Sequence, residues 1–248
     1  MNSEPEETNA QLLPEDKTFQ HLLWPYVTPY LIYVVLSSIP ETMISTEMAQ
    51  GIKLMATSAT LWFFRKTYRF GSLKPLHGFI ALLALPVALA VWIGPFYGLN
   101  MLGLTDVTTA VDRQSFSFLG FCLRLINSAV LVAVFEELLM RVYVMGWFFQ
   151  AGQQRQAKGL LGSIADMLDQ LPAPLAALPL STFSVVGTTI VFTAGHRTYE
   201  YLSAALYFLF TTWLYKKSGS LWVCVIIHGL TNLAIALLAQ YGGMGWLW

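Results

Sequence analysis

Long apolar segments alternate with short polar segments along the chain. A helix that crosses the hydrocarbon core of a bilayer needs about 20 mostly apolar residues. Segments that meet or approach this requirement are predicted at 22–39, 47–64, 78–97, 116–149, 183–195, 199–215 and 221–239. The pattern therefore predicts an all-α fold, a transmembrane helix bundle of about seven to eight spans.

The segments differ in how closely they fit a simple span. Pro25 and Pro29 fall in the opening turns of the first segment, where proline is tolerated best. The second segment contains Lys53, which makes its pattern the weakest. The segment at 116–149 is long for one crossing, so its later half is expected to leave the membrane.

Two polar stretches flank or interrupt the bundle. Residues 1–20 are acidic and polar, without the basic leading region of a secretory signal, and are predicted to be a disordered tail. The stretch at 152–180 is polar, then amphipathic, then rich in proline. It is predicted to be a surface helix and loop inserted into one helical domain at 21–248.

Composition supports a membrane location. The chain is 56% hydrophobic and 11% charged, whereas a soluble domain typically carries about 25% charged residues. We therefore expect the apolar faces to lie in a lipid bilayer. The net charge is zero and no basic stripe is present, so a nucleic-acid partner is not expected. Cys122 and Cys224 lie in apolar segments and are interpreted as small buried side chains.

The basic loops predict the orientation of the bundle. Cytoplasmic loops carry an excess of lysine and arginine. With seven spans, three basic loops fall on one side of the membrane, and they contain Arg65, Lys66, Arg69, Lys74, Arg155, Lys158, Lys216 and Lys217. This side is expected to be cytoplasmic, together with the N-terminus.

Charged residues inside the fourth segment are the first candidate for chemistry. A charge at the bilayer centre costs about 2.5–3.5 kcal/mol on insertion scales, so such residues usually face the bundle interior. Glu137 and Arg141 are spaced i,i+4 and can form an ion pair. Glu136 points about 100° away and is free to act as a general base. The alternative is an interfacial charge cluster where the helix leaves the membrane.

Histidines mark two further segments. Phe192 lies one turn before His196 in IVFTAGHRTYEY, where His196 is either structural or catalytic and Glu200 can orient it. His228 and Asn232 share one helix face in the last segment. They form either a contact between helices or a pair of donors for an oxyanion. Together these side chains suit amide hydrolysis, which needs a base for water and donors for the developing oxyanion.

The three motifs resemble one known family. Glu136-Glu137-x-x-x-Arg141, Phe192-x-x-x-His196 and His228-x-x-x-Asn232 are similar in order and spacing to the CPBP family of CAAX prenyl proteases and bacteriocin-processing proteins. The last stretch, through the final GWLW, looks most like the bacterial, exosortase-associated subgroup. The resemblance implies a glutamate intramembrane protease in a bacterial inner membrane.

The resemblance also implies roles for individual residues. Glu136 and His196 would activate the attacking water, and His228 and Asn232 would stabilise the oxyanion. Glu137, Arg141 and Phe192 would support the site. The substrate would be a membrane-anchored or lipid-modified protein, and no cofactor would be needed.

Other functions remain open from the residues alone. Glu136 and the two histidines could ligate zinc in a metallopeptidase, although no H-E-x-x-H motif is present. A non-catalytic membrane scaffold or immunity protein could keep the same residues for packing. A transporter fits less well, because the chain shows no internal repeat.

Overall fold

The computed structural model describes residues 20–40, 42–68, 70–104, 117–153, 159 and 180–247, with side chains from residue 23 onward. Seven helices lie in these ranges: α1 (Gln20–Ser37), α2 (Thr46–Phe64), α3 (Pro75–Met101), α4 (Phe118–Gln153), α5 (Thr182–Ala194), α6 (Tyr201–Ser218) and α7 (Leu221–Tyr241). Short 3-10 turns follow at Thr198–Glu200 and Gly245–Leu247. No strand occurs in the part described, and the predicted all-α fold is confirmed. The tail at 1–20 and the insertion at 152–180 lie almost wholly outside the described residues.

The protein is a membrane protein. The helices α3, α4 and α7 are each long and apolar enough to cross a bilayer, and Leu23–Ser37 and Thr182–Ala194 are shorter apolar helices. The less apolar helices, α2 and α6, turn polar side chains into the bundle. Their buried polar residues are Gln50, Lys53 and Thr57 in α2, and Ser203, Thr211 and Thr212 in α6.

The helix α4 is not a regular α-helix along its length. It begins at Ser117, whose hydroxyl accepts the backbone N–H of Gly120 at 3.0 Å. Two π-helical segments then follow, Asn127–Val132 and Leu138–Val144, separated by one α-helical turn at Ala133–Glu137. Such π segments within α-helices are frequent at functional sites. Here they enclose the turn that carries Glu136 and Glu137.

The helix α7 packs closely against α4. A Cβ atom placed on Gly229 would lie 2.4 Å from the carbonyl oxygen of Ala129. Small residues allow two helix backbones to approach in this way inside a membrane. The glycine therefore brings the neighbouring His228 close to the glutamates of α4.

The loops that precede α3 and α7 meet at one end of the bundle. The Trp222 indole N–H donates to the carbonyl oxygen of Gly71 at 2.7 Å, and Ser220 Oγ lies 3.4 Å from His77 Nδ1. This end carries the described basic residues of two of the three predicted loops, Arg65, Lys66, Lys74, Lys216 and Lys217. Arg69, Arg155 and Lys158 fall outside the described ranges.

Candidate active site

A cavity of about 180 Å³ lies between α3, α4, α5, α6 and α7. Its lining combines one carboxylate with two imidazoles, hydroxyls and an amide. The lining residues are Trp92, Ser128, Val132, Glu136, Phe192, His196, Tyr207, His228, Thr231 and Asn232. All four residues predicted to be catalytic therefore reach the same cavity, from three different helical elements.

The two adjacent glutamates of α4 have different surroundings. The Glu136 side chain is 20% exposed and faces the cavity, where its Oε2 lies 3.8 Å from His228 Nε2. The Glu137 side chain is only 3% exposed. Adjacent helix positions differ in direction by about 100°, which separates the two carboxylates. Glu136 is thus the glutamate that can reach a bound substrate or water.

Glu137 forms a buried ion pair with Arg141, one turn further along α4. The Arg141 Nε–H donates to Glu137 Oε2, and the Arg141 side chain is fully buried. The same guanidinium donates from Nη1 to Thr212 Oγ1 at 2.8 Å and from Nη2 to Thr211 Oγ1 at 2.6 Å. The i,i+4 spacing predicted the ion pair, but it held no indication of the two threonines of α6.

Glu137 also contacts a catalytic candidate, which the sequence analysis missed. Glu137 Oε1 lies 3.1 Å from His228 Nδ1. A carboxylate only accepts hydrogen bonds, so His228 Nδ1 carries the proton of this bond. His228 Nε2 is then left facing Glu136. The contact joins residues 91 positions apart, and local spacing cannot reveal a contact over that separation.

His196 is held at the end of α5 by its own helix and by α3. Its Nδ1 lies 2.9 Å from the carbonyl oxygen of Phe192, so this nitrogen is also protonated. Its ring packs 4.6 Å from the Phe192 ring and 5.6 Å from Trp92. Trp92 was not predicted, because it lies in an apolar segment without a neighbouring polar motif.

Asn232 lies one turn after His228 on α7. Its Nδ2 donates one hydrogen bond to the carbonyl oxygen of Ser128 at 2.9 Å. The amide has a second N–H, which remains for a partner in the cavity. The wall beside it is completed by Tyr207, whose hydroxyl bonds to Thr231 Oγ1 at 3.1 Å. Asn232 therefore joins α4 to α7 while lining the cavity.

Glu200 does not contact His196, which was one role considered for it. Its Oε2 accepts the backbone N–H of Arg197 at 2.9 Å and closes the turn before α6. The Arg197 guanidinium donates to the Tyr199 hydroxyl at 2.6 Å, and this hydrogen bond raises the pKa of Arg197 above its usual value. Both charged residues thus stabilise the turn.

The described ranges contain no group of three or more His, Cys, Asp or Glu side chains that is arranged to hold a metal ion. Cys224, the one cysteine near the site, is buried behind it and donates weakly to the carbonyl oxygen of Thr211 at 3.5 Å.

An all-helical apolar bundle around a polar cavity defines an integral membrane protein with a candidate hydrolytic site. The family comparison narrows the class. Residues 118–234 match the family model described as type II CAAX prenyl endopeptidase Rce1-like. These residues therefore form an Rce1-like domain, consistent with the CPBP family that the motifs resemble, and this family comprises membrane endopeptidases. Neither a curated protein nor a solved structure matches the chain.

Proposed function

We propose that this protein is a metal-independent glutamate intramembrane endopeptidase. It would hydrolyse a peptide bond of a membrane-anchored or lipid-modified protein. The observation that carries the proposal is the position of Glu136, the carboxylate that lines the described cavity and shares it with His196, His228 and Asn232. A base and hydrogen-bond donors around one cavity are what amide hydrolysis requires.

Glu136 and His196 act on the attacking water. His196 Nδ1 is occupied by the Phe192 carbonyl, so Nε2 is the nitrogen that can accept a hydrogen bond from the water. Glu136 takes a proton from this water as the water oxygen attacks the substrate carbonyl carbon. The carbonyl oxygen becomes an oxyanion in a tetrahedral intermediate.

His228 and Asn232 stabilise that oxyanion. Asn232 donates its second amide N–H. His228 donates from Nε2, which requires a second proton on the ring because the first belongs to the Nδ1 bond with Glu137. The negative charge of Glu137 stabilises the resulting imidazolium. Glu136 then returns its proton to the leaving nitrogen, the C–N bond breaks, and an acid and an amine are released without a covalent enzyme intermediate.

We also propose that the N-terminus is cytoplasmic and that the membrane is a bacterial inner membrane. The orientation is supported by the basic residues that share one end of the bundle, since cytoplasmic loops carry the excess of lysine and arginine. The bacterial membrane is supported by the subgroup that the last stretch resembles.

A cleavage assay in liposomes tests the proposal with candidate membrane-anchored peptides. It compares wild type, Glu136→Gln and His196→Ala, each with and without chelator, and uses Glu200→Gln as the matched control outside the cavity. We expect both site variants to lose cleavage, and wild type and the control to keep it when chelator is present.

Two outcomes contradict this assignment. Cleavage that survives Glu136→Gln would remove the general base and favour a role in packing only. Cleavage abolished by chelator and restored by zinc would identify a metallopeptidase instead.

A further inference from the structure

The two histidines of the site are on different helices but share one residue behind them. His196 ends α5 and His228 lies within α7. Arg141 of α4 is fully buried between the structures that support each ring. Two separate chains of contacts, one polar and one aromatic, connect its guanidinium to the two imidazoles.

The polar chain leads to His228. Arg141 Nε–H bonds to one carboxylate oxygen of Glu137, and the other oxygen accepts the His228 Nδ1–H at 3.1 Å. A carboxylate with both oxygens engaged has little freedom to rotate. The position of Arg141 therefore fixes the direction in which His228 Nε2 points.

The aromatic chain leads to His196. The Arg141 guanidinium carbon lies 4.6 Å from the centre of the Phe208 ring, a cation–π contact. Phe208 stacks on Phe192 with ring centres 4.9 Å apart and planes at 30°. Phe192 in turn contacts His196 through its ring at 4.6 Å and through its carbonyl oxygen.

Two threonines of α6 hold the guanidinium in place. Thr211 Oγ1 donates to the Tyr207 carbonyl oxygen at 2.9 Å, and Thr212 Oγ1 donates to the Phe208 carbonyl oxygen at 2.6 Å. Each hydroxyl has one proton, which this bond uses. Its lone pairs are then directed at the two Nη atoms of Arg141.

We propose that Arg141 positions both histidines, His228 through Glu137 and His196 through Phe208 and Phe192, and that Thr211, Thr212 and Phe208 are positioning residues for the hydrolysis. The proposal rests on the proposed function, because positioning has a catalytic consequence only if both histidines act in the reaction.

Imidazole NMR tests the geometry without a substrate. The full-length protein is labelled with ¹⁵N-histidine in detergent micelles, and long-range ¹H–¹⁵N correlations report the protonated nitrogen of each ring. His196→Ala and His228→Ala assign the signals. In wild type we expect Nδ1 to be protonated in both rings.

Three variants separate the two chains of contacts. The double variant Thr211→Val/Thr212→Val is expected to shift the signals of both histidines. Phe208→Leu is expected to shift His196 and leave His228 unchanged. Thr60→Val, an isosteric loss of a helix hydroxyl on α2, is expected to shift neither.

A conservative variant keeps the test valid if the double variant fails to fold. Thr212→Ser retains the hydroxyl and should leave both histidines as in wild type, while Thr212→Val alone should shift both. If Thr212→Val leaves both rings unchanged, or moves only His228, the common-anchor proposal is wrong.

Kinetics with a peptide cleaved by wild type provide the second measurement. Because the threonines do not line the cavity, Thr212→Val should lower kcat by about 10-fold or more with KM nearly unchanged. An unchanged kcat would refute the positioning role. Activity retained by Glu136→Gln would refute the proposed function, while the NMR result would still decide whether Arg141 holds the two rings.

Discussion

Replacement of Gly229 by alanine tests whether the close approach of α4 and α7 sets the geometry of the site. The new Cβ would lie 2.4 Å from the carbonyl oxygen of Ala129. An ordinary carbon–oxygen contact is about 3.3 Å or longer. The two backbones must therefore separate by about 1 Å at this point, because a carbonyl oxygen inside a helix cannot turn away.

This separation acts directly on His228, the preceding residue. Its 3.1 Å bond to Glu137 would lengthen toward about 4 Å, beyond hydrogen-bond distance. Overpacking of this kind lowers the free energy of unfolding by about 1–3 kcal/mol. A displacement of about 1 Å in a catalytic group costs about 100-fold in rate.

The assay combines thermal unfolding in detergent with cleavage in liposomes. A thiol-reactive dye reports unfolding through exposure of the buried Cys224. Gly229→Ala should lower Tm by about 2–12 °C and reduce cleavage by about 100-fold. The control is Gly98→Ala on α3, because nothing lies within 4 Å of its added Cβ. If Gly229→Ala matches wild type in both measurements, the close approach does not set the site.

Three further substitutions probe the buried charges and donors. Glu137→Gln leaves the buried charge of Arg141 without its counter-charge, so thermal unfolding should show a loss of about 3–5 kcal/mol; an unchanged Tm would contradict the importance of the pair. Asn232→Ala removes one oxyanion donor, and steady-state cleavage should show kcat reduced by about 100- to 1,000-fold. Lys53→Met replaces a buried ammonium that pairs with no carboxylate of the described ranges and only approaches Ser37 Oγ at 3.4 Å. Its Tm should equal or exceed that of wild type, and a lower Tm would show that the ammonium stabilises the bundle.

The helices could be predicted because each needs a long apolar segment to cross a bilayer. The predicted segment at 78–97 is the core of α3 (Pro75–Met101), and the segment at 221–239 corresponds to α7 (Leu221–Tyr241). The orientation in the membrane and the tail at 1–20 stay predictions. Irregular backbone was not predictable, since the π segments of α4 leave no mark in an apolar pattern.

For the site, local spacing identified pairs on one helix and missed contacts between helices. The pair Glu137 and Arg141 follows from i,i+4 spacing. The bond from Glu137 to His228 depends instead on how α4 and α7 pack, which no short motif encodes. The aromatic wall formed by Trp92 was equally invisible, because an apolar segment gives no reason to prefer one tryptophan as a cavity residue. The catalytic roles themselves remain to be tested by cleavage.

The π segments of α4 make the site sensitive to chain length as well as to residue type. Each segment closes its hydrogen bonds from i to i+5 and so accommodates more residues per turn than an α-helix. Loss of one residue from Asn127–Val132 would let that segment return to α-helical geometry and rotate everything before it by about 100° relative to the glutamates. Ser128 would then leave its place opposite Asn232. Relatives that share this site are expected to vary the side chains between 127 and 144 while tolerating no insertion or deletion there.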